Sequence, residues 1–339
     1  MILVTGATGY IGSHTVVELI HHGYNVVALD DLSASRADAI DAIEKITGLK
    51  VPLEIIDLKD KAALLNIAGK YPIEGVVHFA AHMAVGESVH QPLKYYENNV
   101  SGLINLLSFM DKTDCKNLIF SSSCTVYGEV TKVPVNETFP TQRPNSPYGN
   151  TKKIAEEIIE DIAATRKLTA ICLRYFNPIG AHPSGLLGEN PENINNLMPL
   201  LLKAASGNLK ELKVFGNDYK TRDGSCVRDY VHVSDVASAH VKAYKRLAAQ
   251  ESADTVEKFN LGSGTGYSVL EMIHAFEKVN NIKISYKIEG RRSGDAAEIY
   301  SDSKLALEKL NWKTERSLEE MLSSAWNREK TFRKFNELH

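Results

Sequence analysis

Short apolar runs of β-forming residues alternate with helix-patterned intervals through the first half of this chain, and no other feature restricts its fold so much. The runs are Ile2 to Thr5, Asn25 to Leu29, Leu53 to Ile56, Gly75 to Phe79, Asn117 to Ser121 and Ala170 to Leu173. Strands buried on both faces read as continuous apolar runs, and parallel neighbours need a crossover of about a dozen residues or more. The intervals are long enough. Ile11 to His22, for example, places Val16, Leu19 and Ile20 at i, i+3 and i+4 before a glycine stop at Gly23. The pattern predicts an α/β protein built on a doubly wound parallel sheet.

From about Asn177 the rhythm loosens. Clusters of Gly, Pro and Asn (Pro178 to Gly188, Pro191 to Asn196) separate shorter elements such as Leu212 to Phe215. At ~150 residues per domain, the 339 residues make two. We expect residues 1–176 to form a dinucleotide-binding domain and 177–339 a smaller α/β substrate lobe. Asp229 to Val233 and Ser234 to Leu247 read as a strand and helix that return segment 228–250 to the first sheet. Leu318 to Phe335 reads as a charged amphipathic terminal helix.

Composition excludes other classes. Lys plus Arg number 39 against 42 Asp plus Glu, a net charge of -3, which offers no cationic surface for nucleic acid. The longest apolar runs, such as Leu197 to Leu202, fall far short of the ~18 residues that span a bilayer. Met1 to Thr5 lacks the basic start of a secretory signal, so a cytoplasmic location is expected. Cys115, Cys124, Cys172 and Cys226 have no metal-ligand spacing and read as reduced core residues; no metal is expected.

Thr5-Gly6-Ala7-Thr8-Gly9-Tyr10-Ile11-Gly12 lies between the first strand and first helix, where amides at a helix N-terminus can face a pyrophosphate. Its G-x-x-G-x-x-G spacing is a variant of the Rossmann fingerprint. Three turn glycines alone would mean little, but the second strand runs into Asp30 and Asp31. A carboxylate about 20 residues beyond the glycines accepts from an adenosine ribose 2'-hydroxyl and repels the 2'-phosphate of NADP, so NAD is the expected cofactor. Asp57 and Leu58, after the third strand, are placed to meet the adenine.

Tyr148 and Lys152 stand four apart at the start of a helical stretch and so share a face. Lowering a tyrosine pKa from ~10 to ~7 takes about 4 kcal/mol, which one cation ~4 Å away supplies at an effective dielectric of ~20. Lysine, with oxidised nicotinamide, makes such a tyrosine a base. Ser121, Ser122 and Ser123 follow the fifth apolar run, at the strand ends where ligands bind, and can hydrogen-bond a reacting oxygen.

In this order these features resemble the extended short-chain dehydrogenase/reductases and, within them, the UDP-galactose (UDP-glucose) 4-epimerases. The resemblance extends through His78-Phe79-Ala80-Ala81, Tyr127-Gly128, Ser146-Pro147-Tyr148-Gly149, Leu173-Arg174-Tyr175-Phe176-Asn177-Pro178, Asn196-Leu197-Met198-Pro199, Val227-Arg228-Asp229-Tyr230 and Arg291-Arg292. It implies that Tyr148 takes the proton of the sugar 4-hydroxyl while NAD accepts the C4 hydride. Ser123 polarises the oxygen, and Lys152 binds the nicotinamide ribose and depresses the Tyr148 pKa. It further implies that Gly6, Gly9, Tyr10, Ile11, Gly12, Asp30, Asp31, Ser35, Asp57, Leu58, Phe79, Ala80, Ala81, Asn98, Ser121 and Tyr175 line the cofactor channel. The UDP-sugar falls to Asn177, Asn196, Leu197, Phe215, Arg228, Arg292 and Asp295, with Ile299 in the sugar pocket. Homodimerisation is implied through helices around Leu93 to Met110 and Ile154 to Thr165.

Two positions depart from the pattern. Met83 stands where many of these epimerases carry lysine near the cofactor phosphates, removing one cationic contact. Ile299 is intermediate between the tyrosine that narrows the sugar pocket and the smaller residue that admits an N-acetyl group, so activity on UDP-GlcNAc and UDP-GalNAc is expected beside the main pair. The alternatives are a nucleotide-sugar 4,6-dehydratase, whose family places Asp-Glu where Cys124-Thr125 stands here, and a non-catalytic NAD-binding sensor.

Overall fold

A computed structural model describes residues 1–189, 196–251, 254–292 and 295–337. Of the Pro191 to Asn196 cluster, all but Asn196 lie outside them. The six expected runs are strands β1 (Ile2–Thr5), β2 (Val26–Asp30), β3 (Leu53–Ile55), β4 (Gly75–His78), β5 (Asn117–Ser123) and β6 (Thr169–Tyr175). Between them lie α1 (Tyr10–His21), α2 (Asp38–Thr47), α3 (Lys61–Lys70), α4 (Val85–His90), α5 (Pro92–Tyr96), α6 (Gly102–Lys112) and α7 (Pro147–Ala164). Strand residues alternate between two apolar layers. Ile2, Val4, Val26 and Ala28 enter one with Val16 and Leu19 of α1 and Ile43 of α2. Leu3, Val27 and Leu29 enter the other with Leu64 of α3, Leu106 of α6 and Ile159 of α7.

The second half contributes β7 (Asn177–Ile179), α8 (Leu197–Ala205), β8 (Leu212–Phe215), β9 (Val227–His232), α9 (Val233–Ala248) and β10 (Val256–Leu261). Here one expectation is corrected. Helix α9 does return to the first layer, where Val236 and Ala239 join the same cluster as Val16 of α1. The strand before it does not, because β9 pairs with β7, Asn177 opposite Tyr230. Asp229 of β9 anchors it there as a buried carboxylate that accepts from the Ser263 and Ser301 amides and hydroxyls. It is β10 that completes the first sheet, in parallel register with β6 from Val256–Ala170 to Leu261–Tyr175. Its sequence conceals this: Glu257 and Lys258 interrupt the apolar run because they pair with Arg246 and Glu160 at the sheet edge.

The remaining elements are β11 (Gly266–Ser268), α10 (Val269–Asn280), β12 (Tyr286–Glu289), β13 (Glu298–Ile299), α11 (Lys304–Leu310) and α12 (Leu318–Glu337). Strands β7, β9, β11 and β13 form the second sheet, and β8 pairs with β12. Met198, Leu201, Met272, Phe276, Met321 and Leu322 form a core between α8, α10 and α12. The large sheet has the order β10-β6-β5-β4-β1-β2-β3. Strand order reverses between β1 and β4, which opens a crevice at their carboxyl ends. All four cysteines are buried and free. Among the described residues no helix is long and apolar enough to cross a membrane, and no group of His, Cys, Asp and Glu could hold a metal.

Candidate active site

Both sides of the crevice begin with backbone in close contact. Gly6, at φ +70°, turns the chain out of β1 so tightly that a Cβ there would lie 2.7 Å from the Ala80 nitrogen. A Cβ on Gly12 would lie 2.1 Å from the Gly6 carbonyl oxygen. Only glycine permits this packing of loop on helix. Helix α1 begins after Gly9 with no side-chain cap, which leaves its first amides available to an anion.

Asp30 closes the loop from beneath. Its carboxylate accepts from the Thr8 amide at 3.1 Å, the Leu32 amide at 3.0 Å and the Ser35 hydroxyl at 2.8 Å. With about four lone-pair positions on a carboxylate, one remains for a ribose hydroxyl. Uncapped amides, a glycine cradle and a carboxylate with spare acceptor capacity fit a dinucleotide.

The other expected cofactor residues divide. Phe79, Ala80 and Ala81 follow β4 half-buried beside the loop, with the Phe79 ring 4.7 Å from that of His240. Asn98 lies in a π-helical turn, Glu97–Ser101, and donates to Asn99. Ile11 packs against the core. The Tyr10 hydroxyl bonds the Gly180 carbonyl at 2.6 Å and so ties the loop to the second half of the chain. Asp31 is exposed and accepts from Ser33 in a local turn. Asp57 pairs with Lys59, and the Leu58 side chain is buried in the core. The Tyr175 hydroxyl meets His240 at 2.5 Å.

Helix α7 carries Tyr148 and Lys152. Ser146 caps it by accepting from the Gly149 amide, and Pro147 opens its first turn. Lys152 is buried and donates to the Ser121 carbonyl at 2.6 Å, with its ammonium 6.0 Å from the centre of the Tyr148 ring. Burial pulls its pKa down to about 8. Tyr148 is half-buried in dense protein, which pushes its phenol up to about 12, while the nearby Ser123 hydroxyl works in the opposite direction. Burial therefore opposes ionisation of the phenol by the side chains around it, which accords with the expectation that lysine acts together with the positive ring of oxidised nicotinamide.

Strand β9 organises the other wall. Its ladder with β13 sets Ile299 opposite Arg228. Arg228 donates to the Val227 and Ala296 carbonyls and lies 3.6 Å from Asp295, which Arg292 grips through Nε at 3.1 Å and Nη2 at 2.9 Å. The Arg292 guanidinium lies 5.5 Å from the centre of the Phe215 ring. Asn177 donates to the Asp229 carbonyl at 2.8 Å. Asn196 is the N-cap residue of α8 without a side-chain cap bond, and Leu197 packs on the adjoining core. Ile299 is buried with Cys124, Val126, Tyr127 and Phe176.

Two residues at the site escaped the sequence reading. Phe176, between Tyr175 and Asn177, packs in the Ile299 cluster. Asn99 bonds the amide and carbonyl of His82 and reaches Thr151 of α7 at 3.1 Å, which ties the loop after β4 to that helix. Its only signal was its place beside Asn98.

A profile of the family described as GDP-mannose 4,6 dehydratase matches residues 3–325. The UDP-glucose 4-epimerase of Bacillus subtilis (strain 168) is 49% identical over 327 residues, which cover 96% of this chain and 95% of that protein. The crystal structure of UDP-glucose-4-epimerase from Stenotrophomonas maltophila with bound NAD and formylated UDP-arabinopyranose has a TM-score of 0.95 and 43% identity. It covers 98% of this chain and 99% of its own. That of UDP-glucose 4-epimerase from Bifidobacterium longum in complex with NAD+ and UDP has a TM-score of 0.92 and 43% identity, covering 97% and 98%. Identity sustained from end to end, on a shared fold and around a crevice with these groups, means that the chain belongs to the UDP-glucose 4-epimerase family.

Proposed function

We propose that this chain is an NAD-dependent isomerase that inverts C4 of UDP-galactose and UDP-glucose, with Tyr148 as the base. The observation that carries the reading is that Lys152, its ammonium 6.0 Å from the centre of the Tyr148 ring, bonds the Ser121 carbonyl two residues before Ser123 at the carboxyl end of β5. NAD, held by the glycine loop and Asp30, would supply what side chains cannot: a reversible hydride acceptor for C4 and, when oxidised, positive ring charge. Tyr148 removes the 4-hydroxyl proton and gives it back. Ser123 donates to the 4-oxygen as charge develops there. Lys152 holds the nicotinamide ribose and stabilises the phenolate.

The first layer holds the dinucleotide and the second sheet carries the nucleotide sugar. Arg228 and Arg292 present guanidinium forks to the diphosphate, with Asn177, Asn196, Leu197, Phe215, Asp295 and Ile299 around uridine and sugar. Val85, Val89, Leu93 and Ile104 expose apolar side chains on α4 to α6, in keeping with a homodimer, and four reduced cysteines suit the cytoplasm.

The matched profile carries a dehydratase name, but elimination of water needs an acid and a base beyond the tyrosine. Behind Ser123 stand Cys124, whose thiol burial raises to about 12, and Thr125, whose hydroxyl donates to Ser123. Neither does that work. Chromatographic separation with mass spectrometry of the products that the purified protein forms from UDP-galactose tests the assignment. A product of unchanged mass that is UDP-glucose supports it, and loss of water contradicts it. The same assay with UDP-GalNAc is expected to yield UDP-GlcNAc, because Ile299 leaves more room than tyrosine; undetectable turnover would end that extension.

A further inference from the structure

We infer that Glu156 is a positioning residue for this reaction: it keeps Lys152 cationic and locks the serine strand to the helix that carries Tyr148. The inference rests on the roles proposed for Tyr148 and Lys152. Glu156 follows Lys152 by one turn of α7, so both rise from one face, and they are 2% and 5% exposed. Two strands fix its carboxylate. Ser122 of β5 donates to Oε1 at 2.5 Å, and Arg174 of β6 donates from Nε at 2.9 Å and Nη2 at 2.6 Å. Ser122 stands between Ser121, whose carbonyl holds Lys152, and Ser123. Arg174 continues through Tyr127 at 2.9 Å to Asn260 of β10 at 2.7 Å.

A buried ion pair is often no more stabilising than well-packed apolar residues, so stability alone does not account for charge at this place. The surroundings of Lys152 do. The groups that act on it are Tyr148 and Glu156 of its own helix, His78 from β4 and Cys172 from β6. Burial keeps His78 neutral, with a pKa of about 3, and pushes the Cys172 thiol far up. Among the described residues Glu156 is the carboxylate whose charge raises the Lys152 pKa, from one turn along the same helix face. Glu156 itself faces Arg174 and, at 3.8 Å, Lys258 of β10. Lysine loses its charge as pH rises through its pKa. Removal of Glu156 lowers that pKa, so the cation is lost at lower pH.

The test uses full-length protein carrying 13Cε-labelled lysine. In the wild type, Lys152 is expected to titrate near pH 8; a Lys152 already neutral at pH 7 overturns the proposal without any variant. Glu156→Gln strands a buried guanidinium, so Glu156→Gln/Arg174→Met, which removes both charges, is made beside it, and folding is checked by circular dichroism. In the folded double variant the Lys152 titration and the alkaline limb of kcat both move down by about half to one pH unit, less than for loss of a lone carboxylate because the opposing Arg174 charge goes with it. Glu156→Asp keeps the charge and holds both close to their wild-type values. An unmoved titration and limb in the folded double variant, with rate still lost in Lys152→Met, overturns the role of Glu156 alone. Wild-type rate in Lys152→Met overturns the parent assignment instead.

Discussion

Replacement of Tyr148 by Phe lowers epimerisation by about 100-fold or more, the range of a lost general base, while the purified protein keeps its NAD. The change deletes one oxygen. The ring stays on α7, whose start is fixed by the Ser146 cap and Pro147, and Lys152 keeps its bond to the Ser121 carbonyl. What disappears is the atom proposed to take and return the 4-hydroxyl proton, beside the Ser123 hydroxyl. Ser123 cannot substitute, since nothing in the site makes its hydroxyl a comparable base. Turnover within a few-fold of wild type would remove Tyr148 from the mechanism.

The second large effect is on cofactor retention. In Gly12→Ala the new methyl falls 2.1 Å from the Gly6 carbonyl oxygen. The loop cannot retreat, because Gly6 is itself pressed on Ala80 at the far side of the crevice. The helix must tilt or the turn must open, and either displaces the α1 amides. We expect purified Gly12→Ala protein to lose most of its NAD and to be destabilised by at least ~1–3 kcal/mol, the usual cost of overpacking. Gly69→Ala in α3 is the control. Nothing lies within 4 Å of a Cβ there, so NAD content stays and helix stability rises by about 0.5–1 kcal/mol. Wild-type NAD content in Gly12→Ala, measured by absorbance after denaturation, would contradict the cradle.

The contrast between these two sites marks what a sequence discloses. Six strands were legible because burial on both faces makes them continuous apolar runs, and the glycine loop because its chemistry is local. Tyr148 and Lys152 were legible as a pair through helical spacing. Their electrostatics were not: the rise of the phenol to about 12 comes from surroundings that only the folded chain assembles. Asp30 was read as a ribose acceptor, and its second task of clamping Thr8 to Ser35 depends on a turn that places Ser35 back over the loop. The sequence places Leu58 beside the adenine, and burial of its side chain in the core is a further feature that only the fold discloses. Strand β10 stayed hidden because edge strands carry charge, and Glu156 because the guanidinium and hydroxyl that fix it come from two other strands.

The central claim is that the hydrogen at C4 leaves and returns within one closed site. Purified protein, given UDP-galactose deuterated at C4 in ordinary water with no NAD added, tests it directly by mass spectrometry and NMR of the product. The account predicts UDP-glucose with deuterium retained at C4. UDP-glucose carrying solvent hydrogen at that carbon would contradict it.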